Sequence, residues 1–217
     1  MTILPADLTI PYITAREGEE ADYLLNLRVG IGPDRRPQLG YVNEEPPDRD
    51  PRGVLWARYS MSLDVGGRPT GTPRWRLVHP LRQRTTMALL RCQVCTAPVK
   101  RGDGVLFVET ADDRDGCTGP VRTAQPPVCL PHARMAVQRC PRLRSKGHVA
   151  LLATRYPLYG VIGTPYQCTS DGIRPLAGTD TPLPYNHPLI GWFLASQLVR
   201  ELRDYEVVNL DDLLSGT

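Results

Sequence analysis

Apolar positions in this chain come in short bursts separated by turns. The clearest is GVLFVET at 104–110, bounded by KRGDG and ADDRDG, which reads as a β-strand. PVRTAQPPV at 120–128 predicts a proline-interrupted edge strand that returns beside it as a hairpin. In 54–59, Val54, Trp56 and Arg58 alternate with Leu55, Ala57 and Tyr59, while RWRLVH places Trp75, Leu77 and His79 on one face. With the turn VGGRPTGTP between them, 53–80 predicts a second hairpin. Helical spacing is strongest at 186–205. Asn186 stands at a capping position, Pro188 lies in the first turn, and Ile190, Phe193, Leu194, Leu198 and Leu202 form one stripe. Two more helices open on a proline. Pro80 begins one over 80–95, with Leu81, Met87 or Ala88, and Leu90 or Arg91 as its apolar stripe; Pro131 lies in the first turn of another over 130–140. HVALLATRYPLYGVIG, 148–163, reads as helix then strand. DLTIPYI and ADYLLNLRVGIG give two short strands or a strand and a helix turn. The stretch 32–53, crowded with Pro, Gly and charge, reads as a long loop or linker.

The pattern therefore predicts an α+β chain in three parts: an acidic N-terminal segment with its linker (1–52), a hairpin, helix and ligand-bearing module (53–150), and a helical C-terminal segment packed on that module (151–217). The 217 residues, 41% hydrophobic, suffice for a real core, and 22 prolines with 19 glycines demand many turns. No apolar run reaches the ~18 residues of a membrane span. MTILPADLTIPYITAREGEE lacks a basic stretch ahead of an apolar one, so a cytoplasmic location is expected. There, six cysteines read as metal ligands or buried thiols, not disulfides.

Charge changes the picture more. Residues 65–102 carry eight bases and no acid, and 116–170 carry seven bases and no acid. Residues 1–50 carry ten acids against five bases, and 171–217 seven against three. A basic middle attracts polyanions such as nucleic acid, unless the acidic ends fold back on it. All bases but Lys100 and Lys146 are arginines, which reflects a high-GC genome before it reflects arginine chemistry.

The chemistry-bearing motif lies between the basic runs. RCQVC at 91–95 and VCLPH at 128–132 give Cys92-x-x-Cys95 and Cys129-x-x-His132. Structural zinc takes four N or S donors in two close pairs, and two residues between donors let each pair span one edge of a tetrahedron. The order of knuckle, β-hairpin and a helix with two ligands in its first turn resembles the treble-clef zinc-finger superfamily over residues 90–145. That resemblance implies a structural Zn2+ on Cys92, Cys95, Cys129 and His132, at the centre of flanking hairpin and helices. HPLRQRTTM, CQVC and CLPHARMAVQRC are also similar to uncharacterised proteins of high-GC bacteria and their phages, a resemblance that implies no activity. Cys140 and His148 are substitutes should His132 point away. Cys117 and Cys168 look isolated.

Catalytic patterns are missing. No His lies between Cys95 and Cys129 to supply the dyad of a treble-clef nuclease, and no Glu is placed as in a zinc deaminase. There is no Gly-x-Ser-x-Gly, Gly-x-x-x-x-Gly-Lys or Gly-x-Gly-x-x-Gly. His79, His148 and His187 are scattered, and Asp112, Asp113 and Asp115 read as a solvated turn. The expected role is a non-catalytic, zinc-stabilised binding protein. Nucleic acid is the leading partner, met by Arg82, Arg84, Arg91, Arg134, Arg139, Arg142, Arg144 and Lys146, since Arg pairs with phosphate in bidentate fashion. Trp56, Tyr59 and Trp75 are candidates to stack bases, against a core role. The competing class is a protein-interaction, self-associating or assembly protein that uses the zinc module as scaffold; a metal-dependent nuclease ranks third.

Overall fold

The computed structural model describes residues 9–22, 26–99, 102–111 and 119–214. Asp112, Asp113, Asp115 and Cys117 lie outside them. The chain is α+β, with more strand than helix. The N-terminal half contributes β1 (Thr14–Arg16), β2 (Leu27–Ile31), β3 (Pro37–Tyr41), β4 (Leu55–Trp56), β5 (Pro73–Val78) and α1 (Pro80–Ala88). Then come β6 (Val105–Thr110), β7 (Val121–Thr123), α2 (Leu130–Arg139), α3 (Pro141–Lys146), β8 (His148–Arg155), β9 (Leu158–Thr169), β10 (Gly172–Pro175), β11 (Thr179–Pro184), β12 (Phe193–Leu202) and β13 (Asp204–Val208).

The centre is a six-stranded sheet ordered β10-β9-β12-β4, with β11 on β9 and β7 on β12. A three-stranded sheet, β13-β8-β6, shares its core. Its side chains include Phe107 and Leu151, which meet Trp56, Met87, Phe193, Leu198 and Leu202 of the other elements. Two glycines let the central ladder close. A Cβ on Gly160 would sit 2.0 Å from the Leu183 carbonyl oxygen, and one on Gly163 would sit 2.1 Å from that of Leu194.

The expected amphipathic helix at 186–205 is instead a 3-10 turn (Pro188–Trp192) followed by β12. The strand is covered on both faces: Phe193, Ala195 and Leu198 enter the main core, and Leu194 enters a second core with Leu39, Tyr41, Leu55 and Tyr166. A strand buried on both faces loses its two-residue alternation, and its apolar residues fall by chance at helical spacing. The rest of the expected helical C-terminal segment is strand and turn with a short 3-10 helix at Asp212–Leu214, and 148–163 is β8 and the start of β9 with no helix.

Both expected hairpins are re-partnered. β4 runs parallel to β12, and β5 pairs with β1. β6 pairs with β8 along its whole length, and β7 with the end of β12. Between the ligand pairs, the Val128 N–H donates to the Leu106 carbonyl at 3.0 Å. The stretch read as a linker holds β3, which forms a hairpin with β2 and buries Leu39 and Tyr41.

Helix α1 turns only part of its expected apolar stripe inward: Met87 enters the core and Leu90 packs against it. Leu81 and Leu89 are exposed, whereas Arg82, Gln83, Thr86 and Met87 are buried. Gln83, Thr86 and both Nη atoms of Arg82 have hydrogen-bond partners, which makes this orientation tolerable, while Arg82 Nε is buried without one. The Gln83 amide donates to the Ala124 and Leu198 carbonyls and accepts from the Leu198 N–H at 2.8 Å, so one side chain completes the edge of β12. From the same strand, buried Arg200 donates to the Met87 and Ala88 carbonyls, closing the C-terminal end of α1. No described helix is long and apolar enough to cross a membrane.

Candidate metal centre

Directly after α1 the chain reverses. Leu90 and Thr96 adopt positive φ (52° and 62°), Arg91 bridges to Pro98, and the Thr96 N–H donates to the Cys92 carbonyl at 2.9 Å. This knuckle carries Cys92 and Cys95. Three backbone bonds hold it from outside: Gln93 N–H to the Pro127 carbonyl (3.0 Å), Tyr12 N–H to that of Val94 (3.2 Å), and Ile13 N–H to that of Gln93 (3.3 Å). The first sets the knuckle beside Cys129, which precedes α2 and accepts its first helical bond from Ala133 at 2.9 Å. Pro131 in the first turn has no N–H to leave unsatisfied there. His132 lies in the same turn, so the second pair shares the N-terminal turn of the helix.

The four side chains converge. Their donor atoms all lie within 4.8 Å of one another. Cys95 Sγ is 3.9 Å from Cys129 Sγ, and His132 Nδ1 is 3.8 Å from Cys92 Sγ and 3.0 Å from Cys129 Sγ. In a tetrahedron with metal–sulfur and metal–nitrogen bonds of about 2.3 and 2.1 Å, donors stand about 3.5–3.8 Å apart. The Cys92–His132 and Cys95–Cys129 separations match such edges, the Cys129–His132 contact is short of them, and the remaining separations lie within 4.8 Å, so small side-chain shifts would close a sphere around an ion. Three sulfurs and an imidazole form a soft donor set of the sort that selects zinc-like ions over magnesium or calcium. Cys92 is fully buried and accepts the Val94 N–H at 3.4 Å; Cys95 is exposed at the rim. Burial, reinforced by the neighbouring Cys92 and Cys95 thiols, pushes the Cys129 thiol up to about 12. Cys140 and His148 stand outside the cluster. Cys140 ends α2, and His148 is exposed at the start of β8. Cys168 is exposed on β9.

The arginines assigned to nucleic acid separate into groups. Arg82 is no surface contact: it is 1% exposed and grips the buried Glu19 carboxylate with both Nη atoms, at 2.6 and 2.7 Å. Burial alone would raise the Glu19 carboxyl, but Arg82 and the N–H groups of Arg16 and Ser62 outweigh it and hold it below the usual range. Arg84 is half-buried, with its guanidinium 4.7 Å from the centre of the Trp56 ring and donating to the Pro47 and Arg49 carbonyls. Arg91 donates to the Thr96 carbonyl inside the knuckle, and Arg134 pairs with Asp211 at 2.7 Å. Arg139, Arg142, Arg144 and Lys146 are exposed along the end of α2 and α3. Of the aromatic candidates, Trp56 is core, Tyr59 packs edge-on to His79, and Trp75 is half exposed.

A second cluster has no signature in the sequence. Arg52 lies over Tyr185, Arg122 over Tyr159 and Arg200 over Tyr156, at 4.6, 3.9 and 5.6 Å from the ring centres. These residues are far apart in the chain, and only the six-stranded sheet gathers them. No protein-family model, curated protein or solved structure matches the chain.

Proposed function

We propose that Cys92, Cys95, Cys129 and His132 hold a structural Zn2+, and that the protein is a non-catalytic binding protein whose main partner is nucleic acid. The observation that carries the metal assignment is the convergence of four soft donors from two chain segments into one sphere. With all four positions filled by protein, such an ion keeps no open site for water or substrate, which is the arrangement of a structural zinc. The knuckle followed by a helix with two donors in its first turn supports the treble-clef reading for this part, although strands from elsewhere replace the hairpin.

The same ion would brace the start of α2, and the exposed Arg139, Arg142, Arg144 and Lys146 follow along α2 and α3. A rigid basic face of this type meets phosphates and releases their counterions, so affinity falls steeply with salt. Metal content by mass spectrometry together with oligonucleotide titrations at several salt concentrations tests both halves. One equivalent of zinc and a log–log salt slope of about −2 to −4 are expected for a few phosphate contacts. Absence of zinc would end the first half, and affinity unchanged by salt the second.

One observation favours assembly as the second reading. Met61, Leu63, Val65, Trp75 and Leu77 are all exposed on the arm formed by 61–77. Several exposed large apolar side chains on one short stretch favour partner contacts. Light scattering across protein concentration, with and without oligonucleotide, distinguishes self-association from nucleic-acid binding.

A further inference from the structure

Of the Arg–Tyr cluster, Arg52, Tyr159 and Tyr185 line a cleft of about 310 Å3, the low end of the range for small-ligand sites, and Arg122 reaches it through Tyr159 and Glu201. The cleft lies where β9 begins and β11 and β12 end. The Tyr185 N–H donates to the Tyr159 carbonyl at 3.2 Å, and the Glu201 N–H to that of Pro157 at 3.0 Å. Tyr159, Tyr185, Arg52, Arg203 and Glu201 line it. Glu201 is buried and accepts from Arg122 Nε at 3.2 Å and Arg203 Nε at 2.8 Å. Both arginines are thus held by Nε, and among the described residues their Nη atoms have no hydrogen-bond acceptor. The Arg52 guanidinium likewise has only the Tyr185 ring. Three guanidinium groups face one carboxylate here. Asp50, which accepts from the Tyr185 hydroxyl at 3.0 Å, still leaves the balance positive.

A site with unused Nη donors beside flat Tyr–Arg stacks matches a ligand that combines a planar ring with a phosphate. Arg planes and Tyr rings stack bases, and free Nη pairs grip phosphate oxygens. A carboxylate-rich peptide would satisfy the charge and leave the stacking surfaces unused. We propose that this cleft seats one nucleotide of a single strand, with its base on the Tyr159–Arg122 and Tyr185–Arg52 stacks and its phosphate against Arg52 and Arg203. This rests on the nucleic-acid reading above and moves its specific contacts from α2 and α3 to the edge of the six-stranded sheet.

The test uses the full zinc-loaded chain and a short fluorescent oligothymidylate, with thymidine monophosphate and polyglutamate as comparison probes. Arg52→Gln and Arg203→Gln should each weaken the strand about tenfold and reduce the log–log salt slope by about 0.7, the share of one single-strand phosphate. Tyr159→Ala should also weaken it about tenfold, and Tyr159→Phe should restore binding, since the ring is what stacks. Circular dichroism and zinc content matching the parent show that each variant folds. Thymidine monophosphate should shift the NMR signals of Tyr159 and Tyr185. If the cleft variants bind the strand like the parent while Arg142→Gln/Arg144→Gln does not, the cleft assignment is overturned and the nucleic-acid reading stands. If no strand binds, but the monophosphate shifts the tyrosines in the parent and not in Arg52→Gln, the cleft stands as a nucleotide site and the broader reading fails. Neither probe binding sinks both, and polyglutamate competing as well as the strand, indifferent to Tyr159→Ala, reduces the cleft to a plain anion patch.

Discussion

Glu19 and Arg82 place a full charge pair where neither side chain meets water. The fork is bidentate, and the carboxylate also accepts the Arg16 and Ser62 N–H groups at 2.7 and 3.2 Å. Breaking such a pair leaves one charge buried alone, which costs about 3–5 kcal/mol. Arg82→Ala should therefore lower stability to urea by that amount, whereas Arg144→Ala, exposed on α3, should change it by less than about 0.5 kcal/mol. The pair also sets an acid dependence. The Glu19 pKa is depressed in the folded chain, so its contribution is present above the unfolded value near about 4.3 and is lost as pH falls from there through the folded value. Urea midpoints measured between neutral and strongly acidic pH should show this loss, and Glu19→Gln should remove that part of the slope while lowering stability at neutral pH. An identical acid profile for both proteins would rule out Glu19 as its source. At the proposed zinc site, Cys92→Ser should abolish zinc retention, and Cys140→Ser, outside the cluster, should keep the full metal content of the parent.

Among elements, β12 is the one on which the others depend. It pairs with β9, β4 and β7 and receives Gln83 of α1 at Leu198. Gly163 of β9 lies against it with no room for a Cβ, so Gly163→Ala must push two central strands apart. The expected result is little soluble protein or a melting temperature lower by more than about 10 °C, from a cost beyond about 3 kcal/mol in a chain of this length. Normal expression and melting would refute the close approach. The strand and its surroundings also show what the sequence could reveal. GVLFVET was legible because turns isolate it, and Cys-x-x-Cys and Cys-x-x-His were legible because donor spacing is local. The helical starts at Pro80 and Pro131 were legible because proline punctuates. Burial on both faces hid β12, and partners from distant segments hid the pairing of β4 to β7. The buried face of α1 was hidden because Arg82, Gln83 and Thr86 owe their burial to Glu19, Leu198 and their own helix, none visible as a period in the chain.

For the whole molecule, the Cys3His cluster lies where the N-terminal segment, α1 and α2 meet. Cys92 belongs to the same core as Trp56, Phe107 and Leu198. The knuckle is fastened to Tyr12 and Ile13 on one side and to Pro127 on the other. The zinc ion proposed there would contribute to folding, as apparent binding energies of about 10–16 kcal/mol do in small zinc modules. Because these elements share one core with both sheets, losing the ion should not release the knuckle alone. Chelation should lower the melting temperature of the whole chain in a single transition. Hydrogen exchange should accelerate first at the knuckle amides of Gln93, Thr96 and Val99 and at Val128 and Ala133, whose hydrogen bonds depend on the donors meeting. Leu198 and Val199 in β12 should follow, having lost the packing of Met87 and Cys92 and not any bond of their own. Re-adding zinc should reverse both effects, and magnesium should not, since the donor set is soft. A chelated protein with the parent's melting curve and exchange pattern would mean that packing alone assembles the four side chains. The basic face and the Arg–Tyr cleft would then stand without the ion, and the metal's proposed role as their brace would fall.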